Sequence, residues 1–308
     1  MATLQVGLSR GREAGAPVRL RRRHRVARTL ALGLPLLATA ALIVGPLLIT
    51  LAISLWRKKG FGMEPAVTLE SYRLFFAGVR LEVLERSLWV AVTSTAIMLA
   101  IAYPVAYFVA VRVRADLTRA VLFLFAAPFL VNYIVRTFAW ADILSRTGPV
   151  NRVLIWSGLV REPADWLLFS DFAVYLGLVT AYMPFMIFPI WLSLAGIDRR
   201  LLEASWMLGE APLATFRRVT LPLSLPGVLA AAIFGFVGAF GEVAVSLILG
   251  GTGYQLLGNA ITSALDVLNY PLAAAVSSVA TLLMLALIVA WYGAFDIRLF
   301  LGKIMGRH

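Results

Sequence analysis

Two charged residues, Arg136 and Glu242, each interrupt an apolar run long enough to cross a bilayer. An ionised carboxylate facing lipid costs about 2.5–3.5 kcal/mol on insertion scales, so Glu242 is expected to face a helix bundle or a wet path. Two roles fit it: a structural group bonded to neighbouring helices or lying near the surface, and a contact for a passing cation. Other chemistry is scarce. The 308 residues include no Cys and only His24 and His308, which removes zinc, haem and most redox chemistry. Gly250-Gly251-Thr252-Gly253 is Gly-rich, but no strand precedes it and no Gly-Lys-Ser/Thr follows, so it reads as a turn and not as a phosphate loop. No nucleophile stands beside a base, and no nucleotide-hydrolysing motif is present. The chain is therefore expected to catalyse nothing by itself and to carry neither cofactor nor metal.

The second feature is the charged stretch 198–227, DRRLLEASWMLGEAPLATFRRVTLPLSLPG, set between two membrane-length apolar runs. Leu201, Ala204, Ser205 and Leu208 recur at i, i+3, i+4 and i+7, one stripe of a short helix. Asp198 can cap its start, Gly209 can end it without a Cβ penalty, Pro212 suits the first turn of a second helix, and Pro222 is expected to stop that one. Helix, bend and helix make a rigid elbow suited to docking in a groove and passing on a push. An amphipathic loop lying on lipid has the same composition.

Glu203-Ala204-Ser205, then Gly209, then Leu221-Pro222 resemble the E-A-A, G, L-P pattern of binding-protein-dependent ABC importer permeases. The one departure is Ser205, where that pattern usually has Ala; Ser is small and can bond back to its own helix. Within that family, NYIVRTFAW at 132–140, GPVN at 148–151, YMPFMIFP at 182–189, Gly241-Glu242 and LGG at 249–251 resemble the first of the two permeases in spermidine/putrescine-type systems. The resemblance implies an all-α integral membrane protein with a type I ABC importer permease fold. It implies that 198–225 is a cytoplasmic coupling loop held by a separate ATPase through Glu203, Ala204, Ser205, Gly209, Leu221 and Pro222. It also implies a second, related permease, a periplasmic solute-binding protein and a small, polyamine-like solute reaching the cytoplasm, with Glu242 a candidate on its path. Permeases for iron, sulfate or opines share much of the pattern.

The elements that must position these residues follow from hydropathy. Hydrophobic residues make up 61% of the chain and charged ones 14%, against roughly 25% charged in a soluble domain. Uncharged runs at 29–55, 87–111, 172–197 and 267–295 each span hydrocarbon, and 120–141 and 226–249 do so with one charge apiece, giving six spans. With both ends placed inside, 18 of the 28 Lys and Arg fall in inner segments against 10 elsewhere, and the outer charges nearly cancel. The net charge of +12 is thus a matter of topology, and no nucleic-acid partner is needed to explain it. The expected layout is a disordered basic cytoplasmic tail over 1–28 that clamps anionic lipid, a permease domain over 29–295, and a cytoplasmic tail over 296–308, in a bacterial inner membrane. The run 29–55 exceeds the roughly 7–15 apolar residues of a signal-peptide core, so an uncleaved anchor is expected. Short interfacial helices are expected near 73–80 and between the third and fourth spans.

Two rival classes are a stand-alone secondary transporter or channel, and a non-transporting scaffold. The first needs more intramembrane titratable groups than Glu242 and Arg136. The second has no use for the elbow.

Overall fold

The computed structural model describes residues 18–294. The expected tail at 296–308 and the first part of the basic amino-terminal tail lie outside them. The chain divides into two units at Thr50. The first contains most of α1 (Val18–Ser54), whose stretch Pro35–Ser54 has the length and hydropathy of a span. Helix thus begins before residue 29, where a disordered tail was expected, because six of the eleven residues 18–28 are Arg, a good helix former, and neither Gly nor Pro interrupts them.

The second unit opens with an antiparallel hairpin of two three-residue strands, β1 (Arg57–Lys59) and β2 (Gly62–Glu64), which hydropathy did not foresee. α2 (Glu70–Phe76) follows as the short helix expected there, and then the long α3 (Arg80–Val111). α4 (Ala115–Ala126) runs into a 3-10 turn at Ala127–Leu130. α5 (Tyr133–Leu144), α6 (Pro149–Trp156) and α7 (Asp171–Ala195) lead to the elbow helices α8 (Arg199–Met207) and α9 (Pro212–Thr215). A π turn, Phe216–Thr220, joins α9 to α10 (Leu221–Phe240), after which come α11 (Ala244–Leu249), α12 (Leu257–Asp266) and α13 (Tyr270–Ala294). Among the described residues, five helices are long and apolar enough to cross a membrane, and a bent pair raises the number to six.

Three expectations need correction. The third span is not one helix over 120–141: Ala115–Leu130 and Tyr133–Trp156 meet at 86°. Pro128 brings the first half to an end in a 3-10 turn, and Asn132 starts the second by accepting a hydrogen bond from the Ile134 N–H at 2.9 Å. The fifth span does not run from 226 to 249, for its helix starts at Pro212, ends at Phe240, and breaks at Gly241 before α11. Pro222 does not stop a helix either. It sits in the first turn of α10, and the preceding π turn widens the backbone where the proline supplies no N–H.

The core is a tight trio of α3, α7 and α10. Met98 and Ala102 of α3, Met186, Ile187 and Ile190 of α7, and Ala231 of α10 are fully buried. Glycines let α10 lie against α7: a Cβ on Gly235 would stand 2.7 Å from the Met186 sulfur, and one on Gly238 would stand 2.5 Å from the Tyr182 ring. Hydroxyls tie the same helices, with Tyr103 to Ser224 at 2.9 Å and Thr93 to Tyr175 at 2.6 Å. At the end of the bundle away from the elbow, Arg86 and Tyr254 both donate to Asp171, at 3.2 and 2.7 Å, and the guanidinium lies 4.0 Å above the Tyr254 ring. Burial, then that hydrogen bond, pushes the Tyr254 phenol up from its ordinary range, so the clasp keeps its proton.

Candidate functional site

The elbow is built by local rules. The Asp198 carboxylate accepts from the Arg200 N–H at 2.9 Å and starts α8. At the other end the Gly209 N–H donates to the Trp206 carbonyl at 2.9 Å and the Glu210 N–H to the Ser205 carbonyl at 3.2 Å, the bond pair of a Schellman cap. That cap requires a left-handed residue, and Gly209 has φ +78° with open space where a Cβ would go, so the demand is conformational and not steric. Pro212 then occupies the first turn of α9. The stripe of Leu201, Ala204, Ser205 and Leu208 is not a buried face: Ser205 alone is inside, and Leu208 is 83% exposed. Together with Met207, 89% exposed, Leu208 makes the bend an apolar tip. Glu203 is exposed beside a cleft of about 700 Å³ and forms no ion pair among the described residues. Leu221 and Pro222 are half-buried at the base of α10, separated from this tip by the π turn.

The second assembly lies where the two broken spans face each other. A cavity of about 550 Å³ is walled by Phe129, Asn132, Tyr133 and Arg136 from the third span, Tyr182 and Phe185 from α7, and Gly241-Glu242-Val243. Glu242 is 4% exposed. One carboxylate oxygen accepts from the backbone N–H groups of Val243, Ala244 and Val245 at 3.1, 2.9 and 3.1 Å, capping α11, and the other accepts from the Tyr182 hydroxyl. Arg136 mirrors it at the other break, donating to the Pro128 carbonyl at 3.0 Å and standing 5.6 Å from the Phe129 ring centre. Each break thus exposes backbone groups of one polarity, and a side chain of opposite charge satisfies them. Irregular backbone at membrane depth is tolerated only where it is covered in this way or lines a cavity.

The structure therefore brings Glu203, Ala204, Ser205 and Gly209 together at one end and leaves Glu242 apart in the cavity, with Leu221 and Pro222 at the root of the helix leading toward it. Sequence reasoning assigned no role to Tyr182, Asn132 or Thr215. An Asn inside an otherwise apolar run is a capping residue out of place, and it was the readable signal for the break.

A helical membrane bundle with broken spans around a cavity and a stiff elbow between two of its spans is a transporter's membrane component. The chain belongs to the family described as the binding-protein-dependent transport system inner membrane component, whose model matches residues 96–299. It is 35% identical over 226 residues to the spermidine/putrescine transport system permease protein PotB of Escherichia coli strain K12, covering 73% of this chain and 82% of the relative. Identity to PotB of Haemophilus influenzae is 34% over 251 residues, covering 81% and 87%. Among solved structures, a bacterial ABC transporter importing the acidic polysaccharide alginate matches with a TM-score of 0.72 at 15% identity, over 90% of this chain and 98% of that one, which speaks for the fold. The protein is a multi-pass inner-membrane permease subunit of a binding-protein-dependent ABC importer.

Proposed function

We propose that this permease moves a polyamine-like cation from periplasm to cytoplasm, driven by a separate ATPase that grips the elbow over 198–225, with a related second permease completing the path. The observation that carries the coupling role is the elbow itself: a nine-residue helix closed by a left-handed Gly209, with an apolar tip left uncovered. Glu203, Ala204 and Ser205 lie on that helix, while Leu221 and Pro222 root the helix that receives the push. On this reading the elbow and both chain ends face the cytoplasm, in keeping with the 18 inner basic residues.

The choice of solute is supported by the spermidine/putrescine transporters among the relatives and by the aromatic rings of Tyr133, Tyr182 and Phe185 in a cavity whose walls carry Glu242 and Arg136, rings whose faces suit an organic cation. Co-purification tests the assembly. The ATPase and the sister permease should accompany the tagged chain, and a chain isolated alone would favour a stand-alone transporter. The solute follows from what the co-purified binding protein binds, and a preference for an anion would overturn the polyamine assignment.

A further inference from the structure

The bend between α8 and α9 contains a link that docking alone does not need. Ser205 and Thr215 stand on opposite sides of the Gly209 turn with their hydroxyl oxygens 2.8 Å apart. Both residues are buried, at 8% and 4% exposed, although the flanking Ala204 and Trp206 face outward. Among the described residues neither hydroxyl has another hydrogen-bond partner, and no other buried side-chain hydrogen bond crosses the bend. The Glu210–Arg218 ion pair starts within the bend and does not reach α8, and with Arg218 well exposed it is screened by water and salt. The Schellman cap fixes how α8 ends. It does not fix the angle at which the next helix leaves, because Glu210 and Ala211 intervene before Pro212.

We infer that the Ser205–Thr215 hydroxyl pair is the angular lock of the elbow, holding α8 at a set angle to the helix that continues into α10, and that Thr215 is a positioning residue for energy coupling. The inference rests on the reading of α8 as the ATPase-docking element. Ser205, the position where the chain departs from the Ala of the E-A-A pattern, is on this account a functional substitution: an Ala there has no hydroxyl to offer Thr215.

A double substitution separates lock from packing. Removing one hydroxyl strands its buried partner, whereas Ser205→Ala with Thr215→Val removes both and leaves no unpaired group, so the double variant should be closer to wild-type in thermal stability than either single variant. Without native cysteines, spin labels can be placed through Arg200→Cys on α8 and Phe234→Cys on α10, both exposed positions. In the intact complex the double variant should broaden the distance distribution between the labels and lower the spermidine transported per ATP hydrolysed by a factor of about 2 to 30. Thr215→Ser, which keeps the hydroxyl, should retain the narrow distribution. A narrow distribution in the double variant, or a broad one in Thr215→Ser, overturns the lock. The docking reading is tested apart from this by Met207→Glu with Leu208→Glu. Retention of the ATPase by that variant defeats the docking reading, and with it the coupling role of the lock; loss of the ATPase alongside a narrow Ser205→Ala/Thr215→Val distribution defeats the lock alone.

Discussion

Tyr182, in the middle of α7, donates its hydroxyl to the carboxylate of Glu242 at the break that follows α10. One side chain thereby fixes both the start of α11 and the charge on the cavity wall.

Glu242→Gln separates those two duties. The amide oxygen can still accept from the three backbone N–H groups, so α11 stays capped while the charge is gone. Uptake of spermidine in proteoliposomes should fall sharply with the complex intact on a sizing column. Unchanged uptake would remove the charge from transport, and a dissociated complex would make Glu242 a purely structural cap.

Tyr182→Phe removes one hydrogen bond to a charged group and should cost about 1.5–3 kcal/mol, less whatever water regains from the open side of the cavity. A thermal melt of the purified complex reads this. A larger loss of uptake than of stability would place the phenol on the solute's route.

Gly209→Val forces a β-branched residue into φ +78°, at a cost of roughly 1–3 kcal/mol, with no clash because the surrounding space is open. The protein should insert normally and lose coupled uptake. Gly209→Asn, which tolerates the left-handed region, should retain much more. Equal uptake in both variants and wild-type would show that the cap geometry is immaterial.

Gly238→Ala places a methyl group 2.5 Å from the Tyr182 ring, inside any real contact distance. The ring must shift, so overpacking of about 1–3 kcal/mol should appear together with a weakened Tyr182–Glu242 bond. A melting curve checks the first part. The second is checked by combining Gly238→Ala with Tyr182→Phe, whose effects should then be less than additive.

Reporter fusions after residues 55, 111, 141, 197, 249 and 295 should alternate in sidedness, with the elbow on the cytoplasmic side. An elbow on the periplasmic side would end the coupling proposal.

The elbow was legible in the sequence because Asp198, Gly209 and Pro212 each act through local backbone chemistry that their residue types announce. The uninterrupted spans were legible because hydropathy integrates over twenty residues and needs no knowledge of neighbours. The breaks at 131–132 and 241–243 escape hydropathy, since apolar residues continue on both sides and a window sums straight across a bend; the first is marked only by its capping Asn132. Pro222 misled for a related reason: its missing N–H is absorbed by a π turn, a backbone adjustment that no residue type marks. Periodicity likewise grouped Ser205 with Leu208 without saying what covers either, and the fold buried the hydroxyl and exposed the leucine. Arg136 and Glu242 looked like lone charges in lipid until the breaks they cap came into view.

The stretch from Pro212 to Phe240 runs as one 29-residue span, from the elbow to the residue before the Gly241-Glu242 break. At 1.5 Å per residue it is a lever about 43 Å long, so a tilt of about 5° at its root would sweep its far tip by roughly 4 Å. That is more than the diameter of a water molecule, delivered at the cavity wall, and α7, seamed to α10 at Gly235 and Gly238, must turn with it. A stroke of this kind needs no relay of side-chain rearrangements between its two ends, only a shaft stiff enough to turn.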